Sequence, residues 1–167
     1  PFNIQALNGH LFVAYAKTQP CPAEEIKAGA CKKGELFVGE EDTAKPGQGR
    51  IAEFQRDGRL VSIWNDGGKL SAPWGMAYAP KGFGVLSGSL LVTNFGSGLI
   101  AAYDPSSHEF IDYLRDKNNM PIEIDKIWGV IFGNGESLGD ANALYFAAGP
   151  KDETDGLFGS IRPAQKQ

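Results

Sequence analysis

Residues 90–111 read LLVTNFGSGLIAAYDPSSHEFI, in which short apolar segments alternate with polar turns. Apolar segments of this length, bounded by Gly, Asn and Asp, are typical of β-strands joined by tight turns. Asn94 and the Gly-Ser-Gly at 96–98 suit the first turn, because Gly and Asn accept a positive φ. The stretch therefore predicts an antiparallel sheet in which Asn94 is a turn residue or, alternatively, contributes to a ligand site.

The same order of elements occurs three times along the chain. Each unit starts with an aromatic residue followed by a small or polar one, and a glycine-containing loop leads into the second strand. The predicted strands are PFNIQA (1–6), LFVAYA (11–16), GRIAEF (49–54) and RLVSIW (59–64); PWGMAYA (73–79), SLLVTNF (89–95), GLIAAYD (98–104) and EFIDYL (109–114); and IWGVIFG (127–133), ALYFAA (143–148) and GLFGSI (156–161). Antiparallel units repeated at intervals of about 45–55 residues are typical of β-propeller blades.

The repeat predicts an all-β fold, a β-propeller of about three four-stranded antiparallel blades. Blade 1 is predicted to span residues 1–64, blade 2 residues 72–114, and blade 3 residues 125–161, where a fourth strand is missing. An insertion at 20–48 interrupts blade 1, and its segment AEEIKAGA at 23–30 is the best candidate for one or two turns of helix. A β-sandwich is the alternative, which the Trp-Gly pair at the start of two units disfavours.

Composition restricts the classes of partner. The 167 residues include 22 glycines and carry a formal net charge of −4, with acidic and basic residues interspersed. A nucleic-acid-binding surface needs a basic stripe, so nucleic acid is not an expected partner. No apolar run approaches the roughly 20 residues of a membrane helix, so no membrane span is expected.

Cys21 and Cys31 bracket the polar segment PAEEIKAGA. A disulfide between them would stabilise the chain by about 2–3 kcal/mol on a loop-entropy estimate, and two free thiols are the alternative. Zinc requires a larger set of ligands and the nearest histidine is His10, so a metal site is not favoured. A disulfide implies a secreted, periplasmic or extracellular location.

In a propeller, the first strand of each blade lines the central channel. The turns before strand one and between strands two and three lie on one rim. This placement puts five candidate ligand-binding side chains near that rim: Asn3, Trp74, Asn94, Asp125 and Trp128. The two tryptophans are predicted to form an apolar platform with polar neighbours, which suits a ligand pocket. Packing between blades is the alternative for both.

The loop PKDETDG at 150–156 is a weak candidate for a cation site through Asp152, Glu153 and Asp155. Calcium prefers oxygen ligands of this type. A solvated loop is the alternative, and nothing in the sequence requires a cofactor.

The sequence shows no nucleophile beside a base. His10 and His108 both fall in tight turns that the repeat places on the rim away from the predicted site. The serine of FGSGL at 95–99 lies in a hairpin turn rather than in a strand-to-helix nucleophile elbow.

Three long stretches, PFNIQALNGHLFVAYAK, APWGMAYAPKGFGVLSGSLLVTNFGSGLIAAYDP and IWGVIFGNGESLGDANALYFAAGPKDETDGLFGSI, resemble a family of uncharacterised bacterial proteins with six-bladed, NHL-like propellers. Some members of this family are exported and carry a PEP-CTERM sorting tail. The chain resembles the C-terminal half of these proteins, which implies half of a six-bladed ring and export. The resemblance implies no activity and no catalytic residues, and the Cys-bracketed insertion is not part of the family pattern.

Three blades cannot close a ring, so the rest of a longer chain or a second copy is expected to complete it. The favoured hypothesis is an exported, non-catalytic binding or scaffold propeller that holds a protein or carbohydrate partner on one rim. The alternative is a metal-dependent hydrolase of the lactonase type, with a cation near Asn3, Asn94 and Asp125 acting as a Lewis acid. A third hypothesis, a redox propeller with a quinone cofactor, has only the tryptophans in its favour.

Overall fold

The structure, a computed structural model, describes residues 1–41, 46–64 and 66–164. Its strands and α-helix in chain order are β1 (Asn3–Leu7), β2 (His10–Ala16), β3 (Thr18–Pro20), α1 (Ala23–Ala28), β4 (Leu36–Glu41), β5 (Gly49–Phe54), β6 (Leu60–Ile63), β7 (Pro73–Tyr78), β8 (Leu90–Asn94), β9 (Ile100–Tyr103), β10 (Phe110–Tyr113), β11 (Ile127–Phe132), β12 (Leu144–Ala148) and β13 (Leu157–Ile161). A 3-10 turn, Gly84–Leu86, lies in the loop between β7 and β8.

The strands form three antiparallel sheets, which we call blades 1, 2 and 3. Blade 1 has the order β1-β2-β5-β6, blade 2 the order β7-β8-β9-β10, and blade 3 the order β11-β12-β13, with no fourth strand within the described residues. The predicted all-β fold with antiparallel blades is therefore confirmed. The number of blades in a complete ring stays a prediction.

Between β2 and β5, the chain forms a two-stranded sheet of β3 and β4, with α1 between these strands. The helix ends at Gly29, whose φ of 77° is the left-handed conformation that a residue without a Cβ adopts at little cost. The predicted disulfide joins Cys21 to Cys31, whose Cα atoms are 6.2 Å apart. Within the described ranges, no helix is long and apolar enough to cross a membrane.

Alternation of side chains along the strands gives each blade two faces. In blade 1, the register places Phe12 opposite both Gln5 and Glu53, and Glu53 opposite Ser62. These residues lie on one face, and the Gln5 side chain hydrogen bonds to the Met76 backbone of blade 2. This face of blade 1 therefore packs against blade 2.

Two hydrophobic cores join the blades. The blade 1–2 core contains Phe12, Ile51, Trp64, Leu70, Met76, Leu90, Val92, Ala101 and Tyr103. The blade 2–3 core contains Ala77, Phe83, Leu91, Ile100, Ala102, Ile127, Val130 and Leu144. Blade 2 is covered on both faces, which explains why every residue of β8 and β9 is buried. The inner strands β1, β7 and β11 contact one another in that order, as in neighbouring blades of a propeller.

Candidate functional site

Four aromatic rings meet where the three inner strands begin. The Trp128 ring centroid lies 4.7 Å from that of Phe95 and 5.4 Å from that of Trp74. Phe2 lies 5.8 Å from Trp128 and 5.9 Å from Phe95, again between ring centroids. Phe95 is buried, whereas the other three residues are half-buried. We call these four residues the rim aromatic cluster; it brings together the two predicted tryptophans and adds two phenylalanines that the sequence analysis did not select.

The recurring Trp-Gly pair has a packing reason. A Cβ on Gly75 would lie 2.7 Å from the Trp128 carbonyl oxygen and 3.0 Å from the Val130 amide nitrogen. Only glycine therefore lets β7 and β11 approach this closely. A Cβ on Gly129 would lie 3.3 Å from the Trp74 ring. Packing between blades thus accounts for part of the Trp74 surface, and the exposed remainder of both tryptophans is what a ligand can reach.

Charged side chains border the rim aromatic cluster. The Lys126 Nζ atom lies 4.6 Å from the centre of the Phe95 ring, within range of a cation–π interaction. The same Nζ atom lies 3.8 Å from a carboxylate oxygen of Asp152. Asp125 is exposed, and its carboxylate accepts a hydrogen bond of 3.1 Å from the Lys151 amide. The rim therefore combines apolar ring surface with a cation and carboxylates.

Asn3, the first predicted site residue, joins blades 1 and 2. Its side-chain Nδ2 donates to the Trp74 carbonyl oxygen at 2.8 Å. Gln5 accepts from the Met76 amide at 2.6 Å and donates to the Met76 carbonyl at 3.1 Å. These side chains connect two inner strands that belong to different sheets, so packing between blades sets the position of Asn3. A ligand role for Asn3 stays a prediction.

Asn94 is fully buried, and both ends of its side-chain amide have backbone partners. The Oδ1 atom accepts from the Ser71 amide at 2.8 Å, and Nδ2 donates to the Leu99 carbonyl at 3.3 Å. Backbone hydrogen bonds from Asn94 to Leu99 and from Gly98 to Asn94 close the β8–β9 turn. These contacts are those of a turn residue, and a ligand role for Asn94 has no support in this geometry.

The three carboxylates of the 150–156 loop do not converge. The Asp155 carboxylate pairs with the Lys151 ammonium group at 2.6 Å, and Asp152 faces Lys126. Within the described residues, no three His, Cys, Asp or Glu side chains form a group that could hold a metal ion. The weak calcium prediction at Asp152, Glu153 and Asp155 is therefore not supported, because these side chains do not share one coordination centre.

A second group of polar and titratable side chains lies at the other end of blades 1 and 2. Glu53 is buried, accepts a hydrogen bond of 2.9 Å from Trp64 Nε1, and contacts Nδ1 of His10 with its second oxygen. His108, from the β9–β10 turn of blade 2, stacks on the Trp64 ring with centroids 4.6 Å apart. The Ser62 hydroxyl lies 3.0 Å from His108 Nδ1. We call these five residues the polar cluster.

The polar cluster contains the residue types of a nucleophile, a base and an orienting carboxylate in Ser62, His108 and Glu53. The separation of 3.8 Å between His108 Nε2 and the Glu53 carboxylate exceeds a hydrogen bond. Glu53 is already engaged by Trp64 and His10. We therefore interpret the polar cluster as a connection between blades 1 and 2. The sequence repeat placed both histidines on one rim, but it did not show that their turns meet.

No family model matches the chain. Two uncharacterised proteins of Acanthamoeba polyphaga mimivirus are similar to it. One is 30% identical over 161 residues, which cover 96% of this chain and 35% of the viral protein. The other is 31% identical over 161 residues, which cover 96% of this chain and 37% of the viral protein. The chain thus spans little more than a third of the length of these curated relatives.

Among solved structures, the chain is similar to one that is described provisionally as a gluconolactonase. The TM-score is 0.49 and the sequence identity 16%, over 96% of this chain and 47% of the other. This similarity is too weak to assign an activity. It does not test the NHL-like family or the PEP-CTERM tail, and both stay predictions.

Proposed function

We propose that this chain is part of an exported, non-catalytic β-propeller that binds a ligand on the rim formed by the rim aromatic cluster. The observation that carries the proposal is the convergence of Trp74 and Trp128 from neighbouring blades, with both rings half-buried where the inner strands begin. Loops at the edge of a rigid scaffold are a common place for a binding site. Export is supported by the disulfide between Cys21 and Cys31, since such bonds persist in oxidising compartments.

The chemistry of this rim favours a carbohydrate ligand. Tryptophan rings offer flat apolar surface on which the C–H face of a sugar can pack. The Lys126 ammonium group lies beside the Phe95 ring, and the preceding residue, Asp125, is exposed. Both groups can bind hydroxyl groups. A protein partner that presents aromatic or cationic side chains is the competing ligand for the same surface.

The lactonase-type alternative needs oxygen ligands that converge on a cation. In the part of the chain that the structure describes, no three His, Cys, Asp or Glu side chains form such a group. The described residues therefore offer this alternative no ligand group made of these four residue types. Lactone turnover by the purified chain in the presence of calcium, zinc or manganese would favour the hydrolase over the binding protein.

Native gel electrophoresis in the presence of soluble polysaccharides tests the proposal. The probes are β-glucan, xylan and mannan, each cast into the gel. We expect at least one of them to retard the chain and expect Trp128→Ala to remove the retardation. Val85→Ala is the matched control, because Val85 is fully exposed in the β7–β8 loop, at the other end of the blade.

Two negative results are possible, and they test different parts of the proposal: the class of ligand and the place where it binds. A chain that none of the three polysaccharides retards contradicts the carbohydrate assignment. A Trp128→Ala variant that is retarded like the unmodified chain contradicts the rim aromatic cluster as the site. Circular dichroism of the variant checks that the blades remain folded.

A further inference from the structure

Lys126 and Asp152 form an unequal ion pair beside the rim aromatic cluster. The Lys126 side chain is 22% exposed and that of Asp152 is 95% exposed, and 3.8 Å separates the ammonium nitrogen from the carboxylate oxygen. This separation is longer than that of a charge-assisted hydrogen bond, and an ion pair with so exposed a partner contributes little to stability. The Lys126 side chain is therefore mostly covered, whereas its carboxylate partner can leave it at small cost.

The other carboxylates of this rim have partners of their own. The Asp125 carboxylate accepts a hydrogen bond from the Lys151 amide, and the Asp155 carboxylate pairs with the Lys151 ammonium group at 2.6 Å. Among the described residues, Asp152 is the only carboxylate within ion-pair distance of the Lys126 ammonium group. A ligand carboxylate that displaced Asp152 would thus meet an ammonium group with no other counter-ion at that distance.

The backbone around this ion pair adopts an uncommon conformation. The φ angle is 52° at Lys126, 56° at Lys151 and 51° at Asp152, in the left-handed region that residues other than glycine seldom adopt. The Gly149 amide donates to the Lys126 carbonyl oxygen at 3.0 Å and so connects the two segments. Residues held in such conformations are frequent at sites that hold a ligand. The backbone thus fixes the positions of Lys126 and Asp152 relative to each other.

We propose that Lys126 selects a carbohydrate that carries a carboxylate, a uronic acid unit, and that Asp152 occupies the carboxylate position until the ligand binds. This selectivity rests on the proposed function, since the sugar must pack on the exposed ring surface of Trp74 and Trp128. The Lys126 Nζ atom lies 4.6 Å from the centre of the Phe95 ring, which lies 4.7 Å from that of Trp128. A carboxylate on a sugar at this edge can form the short charge-assisted hydrogen bond that Asp152 does not form. A neutral sugar gains no such bond.

Titration with polyuronates and their methyl esters, followed by tryptophan fluorescence, tests this selectivity. The probes are polygalacturonate and alginate, each compared with the same polymer after its carboxylates have been converted to methyl esters. The two members of each pair share a sugar backbone and differ in charge. We expect at least one acid form to bind about tenfold more tightly than its ester at low salt. The preference should shrink as the ionic strength rises, because salt screens the ion pair.

Matched substitutions assign the preference to the ion pair. Lys126→Gln should remove the preference for the acid form, whereas Lys126→Arg should keep it because the charge remains. Asp152→Asn should strengthen binding of the acid form about twofold to threefold, because it removes the competing carboxylate. Lys151→Gln and Asp155→Asn, which change the same charges in the neighbouring ion pair, should leave the preference unchanged. Circular dichroism checks that each variant is folded.

Several results would contradict the role of Lys126. Equal affinity for acid and ester in both pairs, or a preference that persists in Lys126→Gln, would overturn the proposal. Weaker binding of the acid form by Asp152→Asn would show that Asp152 does not compete with the ligand. A chain that binds a neutral polysaccharide through Trp128 but shows no preference for either acid form would overturn the acidic ligand alone. Binding that is unaffected by Trp128→Ala would instead overturn the proposed function.

Discussion

The two interfaces between blades solve the same packing problem with different chemistry. At the third residue of each repeat, blade 1 has Asn3, whose side chain reaches the Trp74 carbonyl oxygen of blade 2. Blade 2 has Gly75 at that place. Because β11 approaches β7 closely there, a single side-chain hydroxyl can hydrogen bond to the backbone of both strands. The Thr93 Oγ1 atom accepts from the Gly75 amide and donates to the Trp128 carbonyl, both at 2.7 Å. Long polar side chains connect one pair of blades, whereas close backbone approach connects the other.

The largest effect is expected from breaking the close approach between blades 2 and 3. Gly75→Ala places a methyl group 2.7 Å from the Trp128 carbonyl oxygen and 3.0 Å from the Val130 amide nitrogen, both backbone atoms that cannot move independently. We expect the free energy of unfolding to fall by about 3 kcal/mol, as for overpacked cores. Urea denaturation followed by tryptophan fluorescence measures it.

Gly129→Ala is the matched control for this overpacking. Its Cβ would meet the Trp74 side chain at 3.3 Å, and a half-buried ring can shift by a few tenths of an ångström. We expect a loss below about 1 kcal/mol. Equal losses for the two variants would show that close backbone approach is not what distinguishes the blade 2–3 interface.

The next largest loss of stability is expected from substitutions in the polar cluster between blades 1 and 2. Glu53→Ala removes the acceptor of the buried Trp64 Nε1–H and the partner of His10. A buried donor without an acceptor costs about 2 kcal/mol, and we expect the free energy of unfolding to fall by that amount. Ser62→Ala, which removes one half-buried hydroxyl from the same cluster, is expected to cost less than about 1 kcal/mol. A larger loss for Ser62→Ala than for Glu53→Ala would contradict the central place of the carboxylate.

The fold could be predicted from the sequence because its signal is local and repeated. Strand β8, for example, is a short apolar run that ends at a turn of Asn and Gly, and its neighbours repeat the same order. The insertion is different, since β3 and β4 carry no repeat partner and their pairing depends on the chain returning past α1. Sequence spacing marked the two cysteines, but it did not indicate these two short strands.

The candidate site was predicted less completely, because its residues come from different blades. Trp74 and Trp128 could be selected through the repeat, which also aligns Phe2 with them, whereas Phe95 lies after the end of β8, so nothing local connected Phe95 to the tryptophans. The polar cluster was missed for the same reason. His10 and His108 lie far apart in the chain, and only the packing of blade 1 on blade 2 brings both to Glu53.

A smaller change in the free energy of unfolding is expected from Tyr103, a residue of the blade 1–2 core with an unpaired polar group. Its hydroxyl is buried and has no hydrogen-bond partner among the described residues. Burial, followed by the charge of Asp66, raises the pKa of Tyr103 far above its usual range. Tyr103→Phe removes the unsatisfied hydroxyl, and we expect the chain to be unchanged or more stable by about 1 kcal/mol in urea denaturation. Tyr113→Phe, which alters a half-buried tyrosine of the same blade, is the control, and a marked loss in Tyr103→Phe alone would indicate a partner for the hydroxyl.

The smallest change in stability is expected from the turn that places His108 in the polar cluster, and it depends on pH. Hydrogen bonds from the Ser106 hydroxyl and from the Ser107 and Ser106 amides lower the pKa of Asp104 to about 2. Because this pKa is lower in the folded than in the unfolded state, the carboxylate stabilises the turn fully above about pH 4. That stabilisation is lost as the pH falls toward 2. Asp104→Asn keeps an acceptor oxygen but does not titrate, so its urea midpoint should fall less than that of the unmodified chain between pH 5 and pH 2. Parallel curves for the two proteins would assign the acid sensitivity to carboxylates other than Asp104.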